Sequence, residues 1–120
     1  MRLYSFDSAQ KTYMEITKTI DRDSWEMMLS GRIDGPAAHL LEVEVLAAIK
    51  AGAKEIFINL SQAEWICSAG LRVLLQYYRQ MKTNGKTLLV TRPSSGISEI
   101  LEETGFKDAI VEGSQSGGAR

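Results

Sequence analysis

Ile56-Phe57-Ile58-Asn59-Leu60 is followed, after Ser61-Gln62-Ala63-Glu64, by Trp65-Ile66-Cys67-Ser68-Ala69-Gly70-Leu71-Arg72. The first five residues form a short, nearly continuous apolar run, the pattern of a strand covered on both faces, and this favours a central parallel strand. Ser61 to Ile66 reads as a connecting loop with two large apolar residues, Trp65 and Ile66. A helix is expected from about Ser68 to Thr83, with Leu71, Leu74, Leu75, Tyr78 and Met81 on its core face and Asn84-Gly85 as its stop. The stretch therefore places a serine and a cysteine where a buried strand hands over to a helix. The first amides of a helix have no partner inside it, and the helix dipole adds positive charge there. An anion on Ser68 or a thiolate on Cys67 would be stabilised at such a place.

Outward from this stretch the order of elements is legible. Tyr13, Ile16 and Ile20 fall among polar residues, Asp21-Arg22-Asp23-Ser24 reads as a turn, and Trp25 to Leu29 is a second, more apolar strand. Together they predict an antiparallel hairpin. Ser30-Gly31-Arg32-Ile33-Asp34-Gly35-Pro36 reads as a loop into a helix over about 37–51, with Asp34 or Gly35 as cap and Pro36 at the first helical position. Leu41, Val45 and Ala48 mark its core face, and Gly52 its end. Thr87 to Thr91 is a second buried-type strand. Ser94 or Ser95 caps a last helix through Ile97, Ile100 and Leu101, Thr104-Gly105-Phe106 resembles a Schellman-type end, and Asp108 to Val111 is a last short strand. Alternation of this kind predicts an α/β domain with a mixed, mostly parallel sheet of about four to five strands, an antiparallel N-terminal hairpin, and helices packed on the sheet. Residues 1–11 are read as an N-terminal extension (an extra edge strand or a loose arm), 12–112 as the domain, and 113–120, rich in Gly and Ser, as a disordered tail.

Composition narrows the function classes. The 120 residues are 44% hydrophobic and 24% charged, which suits one domain, and the net charge of -1 gives no reason to expect nucleic acid as a partner. Cys67 is the only cysteine, so no internal disulfide forms and a cytoplasmic location is the default. No apolar run approaches the ~20 residues of a membrane span, and no membrane insertion is expected. With one histidine, His39, a histidine-rich metal site is excluded, and no cofactor is expected.

Four segments, in order, carry a resemblance: Leu29-Ser30-Gly31-Arg32-Ile33-Asp34, Ile56-Phe57-Ile58-Asn59-Leu60-Ser61, Ser68-Ala69-Gly70-Leu71-Arg72-Val73-Leu74 and Ile100-Leu101-Glu102-Glu103-Thr104-Gly105-Phe106. The chain resembles a STAS domain of the anti-sigma factor antagonist type over roughly residues 12 to 112. The resemblance implies a protein-binding switch that is not an enzyme. Its partner would be a serine kinase that is also an anti-sigma factor, and its phosphorylated residue the serine that matches Ser68. A serine phosphatase would reverse the modification. Two positions depart from the family pattern: Cys67 stands where an Asp usually precedes the serine, and Asn59-Leu60-Ser61 stands for Asp-Leu-Ser.

Each of these residues also has a plainer reading. Ser68 is an ordinary N-cap, worth about 1 kcal/mol. Cys67 is a small buried hydrophobe, or, as a distant alternative, the thiolate of a thiol-dependent enzyme in a Cys-x-x-x-x-Arg spacing with Arg72. Asp34 is a cap whose loop also lies near the partner surface. On the helix that follows Ser68, Val73 and Tyr77 are expected on the exposed side, ringed by Arg72, Gln76, Arg79 and Gln80, as anchors for a partner. Asp34, Cys67, Ala69, Gly70, Arg72, Val73, Gln76 and Tyr77 thus make up the expected partner surface around Ser68. The alternative is a STAS module that binds without phosphorylation in a transport or sensory complex. A monomer or weak dimer is expected.

Overall fold

Strand alternation and helix punctuation resolve, in the computed structural model, into nine elements. Residues 2–7, 12–104 and 110–111 are described, with side chains over 14–104. The elements are β1 (Arg2–Asp7), β2 (Thr12–Asp21), β3 (Ser24–Ile33), α1 (Gly35–Lys50), β4 (Glu55–Ile66), α2 (Ser68–Thr83), β5 (Thr87–Thr91), α3 (Ser95–Glu103) and β6 (Ile110–Val111). They build one six-stranded sheet in the order β1-β2-β3-β4-β5-β6. β1, β2 and β3 are antiparallel neighbours, and β3 to β6 are parallel. Residues 2–7, within the expected N-terminal extension, supply the outer edge strand. The Schellman-type end at Gly105 and Phe106 and the 113–120 tail lie outside the described residues.

The hairpin turn is tight because Arg22 adopts a left-handed φ of 59° between Asp21 and Ser24, which are paired. Parallel strands laid down in sequence order, each joined by a right-handed crossover, put every connecting helix on the same face. One core results. Met14, Ile16, Met27, Leu29, Ile56, Ile58, Leu60, Leu88 and Val90 point into it from the strands, and Leu41, Val45, Leu74, Met81, Ile97 and Leu101 from the helices. Burying one such side chain contributes about 1.5–3 kcal/mol. The opposite sheet face, with Met28, Phe57 and Leu89, is half-buried, and no described helix packs on it. Ile56–Leu60 is thus a central parallel strand covered by helices on one face, where the sequence pattern suggested two. Part-buried Lys18 pairs with Glu44 at 2.8 Å and fastens the hairpin to α1.

Two segments expected to be loops are strand. β3 continues through Ser30 to Ile33, and β4 through Ser61 to Ile66. The cause is a pair of irregularities where β4 carries one more residue than β3: Met28 faces Asn59 but Ser30 faces Gln62, and Gly31 faces Ala63 but Arg32 faces Trp65. Each extra residue breaks the two-residue alternation, so the buried positions of β4 run Ile56, Ile58, Leu60, Ala63, Ile66. Gly31 accommodates the second irregularity with φ of 95°, a conformation that costs glycine little. Asn59 helps set the first one: its Oδ1 accepts from the Ser61 N–H at 2.9 Å, and its Nδ2 donates to Glu26 Oε2 at 3.3 Å. An Asp at this position would set two carboxylates face to face; the amide joins them instead.

Candidate functional site at the start of the second helix

The pairing of β4 with β5 ends at Asn59 and Thr91, while its pairing with β3 runs on to Ile66 and Ile33. β4 therefore runs on past β5, paired on one side with β3, whose own pairing with β2 continues to Gly31, and the ends of β3 and β4 make a ribbon tip at which α1 and α2 both start. The Cys67 N–H donates to Ile33 O at 2.9 Å, which ties the two helix starts together.

At the first, Asp34 is the N-cap. Its Oδ1 accepts from the Ala37 N–H at 3.1 Å, and Pro36 sits in the first turn. Of the two caps the sequence allowed, Asp34 is the one used. At the second, the N-cap is Cys67, and its side chain makes no capping bond. Ser68 is the first helical residue, one position later than the plain cap reading has it, because β4 runs to Ile66 and leaves a single residue for the turn. The first ladder bond is Leu71 N–H to Cys67 O at 3.1 Å. The amides of Ser68, Ala69 and Gly70 thus precede the ladder, no side chain among the described residues bonds them, and no acidic residue lies in the first turn.

Ser68 is exposed, and Cys67 and Ala69 are half-buried. Gly70 is buried for a steric reason. A Cβ there would meet Ile66 Cγ1 at 2.8 Å and Ile33 Cγ2 at 3.1 Å, so only glycine lets α2 lie against the ribbon. Arg72, Gln76, Arg79 and Gln80 are exposed, as expected. Arg72 is four residues from Ser68 and shares its face.

The expectation for Val73 and Tyr77 is corrected. They are only 8% and 3% exposed and belong to the core. The buried stripe of α2 is Gly70, Val73, Leu74, Tyr77 and Met81, while Leu71, Leu75 and Tyr78 are half-buried. Both sets obey helical spacing. The choice falls to the first because α2 packs against α1 as well as the sheet. Tyr77 Oη donates to Glu42 Oε2 of α1 at 2.7 Å. Burial, then the carboxylate acceptor, raises the Tyr77 pKa from its ordinary 10.0 to about 12.

Cys67 and Arg72 do not form an anion-binding loop, since residues 68–72 are regular helix and no chain curls between them. Among the described residues no cluster of His, Cys, Asp and Glu is arranged to hold a metal ion, and no described helix is long and apolar enough to cross a membrane.

The structure adds two residues to this tip that the sequence did not single out. Trp65 is 40% exposed, and the Arg32 guanidinium lies 4.6 Å from the centroid of its ring. The two are register partners. The signal in the sequence was the strand continuing through Trp65, which the broken alternation hid.

Known proteins share this architecture. The family described as "Mlab, STAS domain" matches residues 16–112. A putative anti-sigma factor antagonist, BtrV of Bordetella bronchiseptica, is 30% identical over 78 residues, covering 65% of this chain and 67% of that protein. The anti-sigma-B factor antagonist of Staphylococcus aureus is 28% identical over 98 residues, covering 81% and 90%. The anti-sigma factor antagonist SpoIIAA in its unphosphorylated form superposes with a TM-score of 0.75 at 18% identity, covering 83% of this chain and 89% of that one. The same Bacillus protein in its phosphorylated form gives 0.71 at 18% identity, over 83% and 92%. With the ribbon, the two helix starts and the matched span in agreement, the chain belongs to the STAS domain family, the family of the anti-sigma factor antagonists.

Proposed function

We propose that this protein is a binding switch of the anti-sigma factor antagonist kind, with Ser68 as its phosphorylated residue. It would bind a serine kinase that is also an anti-sigma factor, be phosphorylated by it, be restored by a serine phosphatase, and work in the cytoplasm without catalysing a reaction itself. The observation that carries this reading is the exposed Ser68 in the first turn of α2, where the leading amides have no side-chain acceptor among the described residues and the first turn holds no acid. A phosphate there adds about -1.5 to -2 charges and three acceptor oxygens. The helix start tolerates that charge, so the fold survives. A partner packed on the tip meets new charge and bulk, and is released. The names of the relatives, and the existence of a phosphorylated form of SpoIIAA, support the same reading.

Titrating the purified cognate anti-sigma kinase against wild type, Ser68→Ala and Ser68→Asp tests it, together with phosphosite mass spectrometry on protein from its native cell. Wild type and Ser68→Ala should bind and Ser68→Asp should not. Equal binding by Ser68→Asp sinks the switch. A second reading has one specific observation in its favour: Cys67 stands beside Ser68 where the family's acid would be, changing what a kinase reads. In that reading the same tip binds constitutively in a larger complex, Ser68 carries no phosphate in the cell, and all three proteins bind alike.

A further inference from the structure

Trp65 and Arg32 lie round the ribbon tip from Ser68, on the sheet face that no described helix covers. Ile33 and Ile66, their neighbours along each strand, are buried, so the alternation of the strands turns Arg32 and Trp65 outward. The Trp65 indole, 40% exposed and two residues before the N-cap of α2, carries the Arg32 guanidinium on its ring. Among the described residues no carboxylate lies within ion-pair distance of Arg32 or of Arg72. Asp34 is occupied by its cap, and Glu64 pairs with neither arginine. Among the described residues the guanidinium stacks on the ring and its in-plane N–H donors meet no carboxylate. Trp and Arg are the residue types that most often dominate a protein interface.

We propose that the partner surface of this protein continues from Ser68 and Arg72 round the ribbon tip onto Arg32 and Trp65, and that the partner segment seated there is acidic, offering a carboxylate to Arg32 beside an apolar slot for the Trp65 ring. The proposal rests on the reading of Ser68 above and extends it to the other sheet face. It gives the switch two parts: an anchor at Trp65 that phosphorylation does not touch, and a gate at Ser68 that it does.

The experiment uses full-length protein carrying Trp25→Phe, which leaves Trp65 as the only indole of the two in the chain. The purified cognate anti-sigma kinase is the probe. Binding should shift Trp65 emission to the blue and protect it from acrylamide. Trp65→Ala, in the natural background, should weaken binding on the order of tenfold or more while leaving the melting temperature near wild type, because Trp65 lies outside the hydrophobic core. Arg32→Ala should weaken it less and flatten its salt dependence, and Arg32→Lys should restore the salt dependence without the full affinity. If Trp65→Ala binds like wild type with emission unmoved in the Trp25→Phe protein, while Ser68→Asp still releases the kinase, the extended surface is wrong and the Ser68 switch stands. If Ser68→Asp binds as wild type does, the switch fails, and the two-part surface fails with it.

Discussion

The two helix starts at the ribbon tip are built from the same parts and finished differently. Each follows a β-strand that ends in a buried isoleucine, Ile33 or Ile66, and each has one extended N-cap residue. At α1 the cap is Asp34, whose carboxylate takes a leading amide, and Pro36 removes one donor altogether. At α2 the cap is Cys67, which takes none, and the next residue is an exposed serine. One start is closed within the chain. The other leaves its donors to solvent or to a modification, while Gly70 holds it close against the same ribbon. Stability and availability are thus separated between two neighbours joined by a single hydrogen bond, Cys67 N–H to Ile33 O.

The sharpest way to break this arrangement is at Gly70. Gly70→Ala places a methyl group 2.8 Å from Cγ1 of Ile66, a buried, β-branched side chain. The overlap should cost about 1–3 kcal/mol, offset by up to about 1 kcal/mol of better helix propensity. A lower midpoint in urea unfolding is the expected result, and Gly70→Val should lower it further. An unchanged midpoint would mean that α2 does not lie against the ribbon as described.

Next in size is the exchange of caps. Asp34→Ala should destabilise by about 1 kcal/mol through loss of the Ala37 bond. Cys67→Asp should stabilise by a similar or smaller amount, because it supplies the acceptor that α2 lacks. Thermal melts of the two variants should move in opposite directions. If Cys67→Asp gains nothing, the leading amides of α2 already have an acceptor.

The smallest expected effect lies between α1 and α2. The Tyr77 pKa is raised in the folded state to about 12, so the folded protein holds this proton more tightly than the unfolded chain does. The corresponding stability is fully present below pH about 10, and is lost as pH rises from there through about 12. Tyr77→Phe keeps the packed ring but lacks this proton. Its stability, followed by urea titration at successive pH values, should fall less steeply than wild type across that window. Parallel curves would show that the Tyr77 hydroxyl is not buried against Glu42.

These sites also show how far local pattern reaches. The cap of α1 was readable to within one residue, Asp34 or Gly35, because its bond spans three residues and Pro36 marks the first turn. Helix α2 was readable as a helix, but not by its buried side. Leu71, Leu74, Leu75 and Tyr78 make one stripe at helical spacing, and Gly70, Val73, Leu74, Tyr77 and Met81 make another. Periodicity alone ranks leucines above a glycine, and it cannot see that Glu42, thirty-five residues earlier, waits for the Tyr77 hydroxyl. The end of β4 was hidden for a related reason. Its two extra residues against β3 replace alternation by steps of three, and only the partner strand shows that the chain is still extended there.

The sequence by itself determined the order of the elements, the parallel sheet with its hairpin and the family, because these rest on contacts within a few residues or on segments that survive in register. Tertiary structure alone decided that Cys67 rather than Ser68 is the cap, that Val73 and Tyr77 are buried, and that Arg32 stacks on Trp65 at the tip. Each depends on how two distant strands or helices are aligned, and a shift of one residue in that alignment turns a side chain from core to solvent.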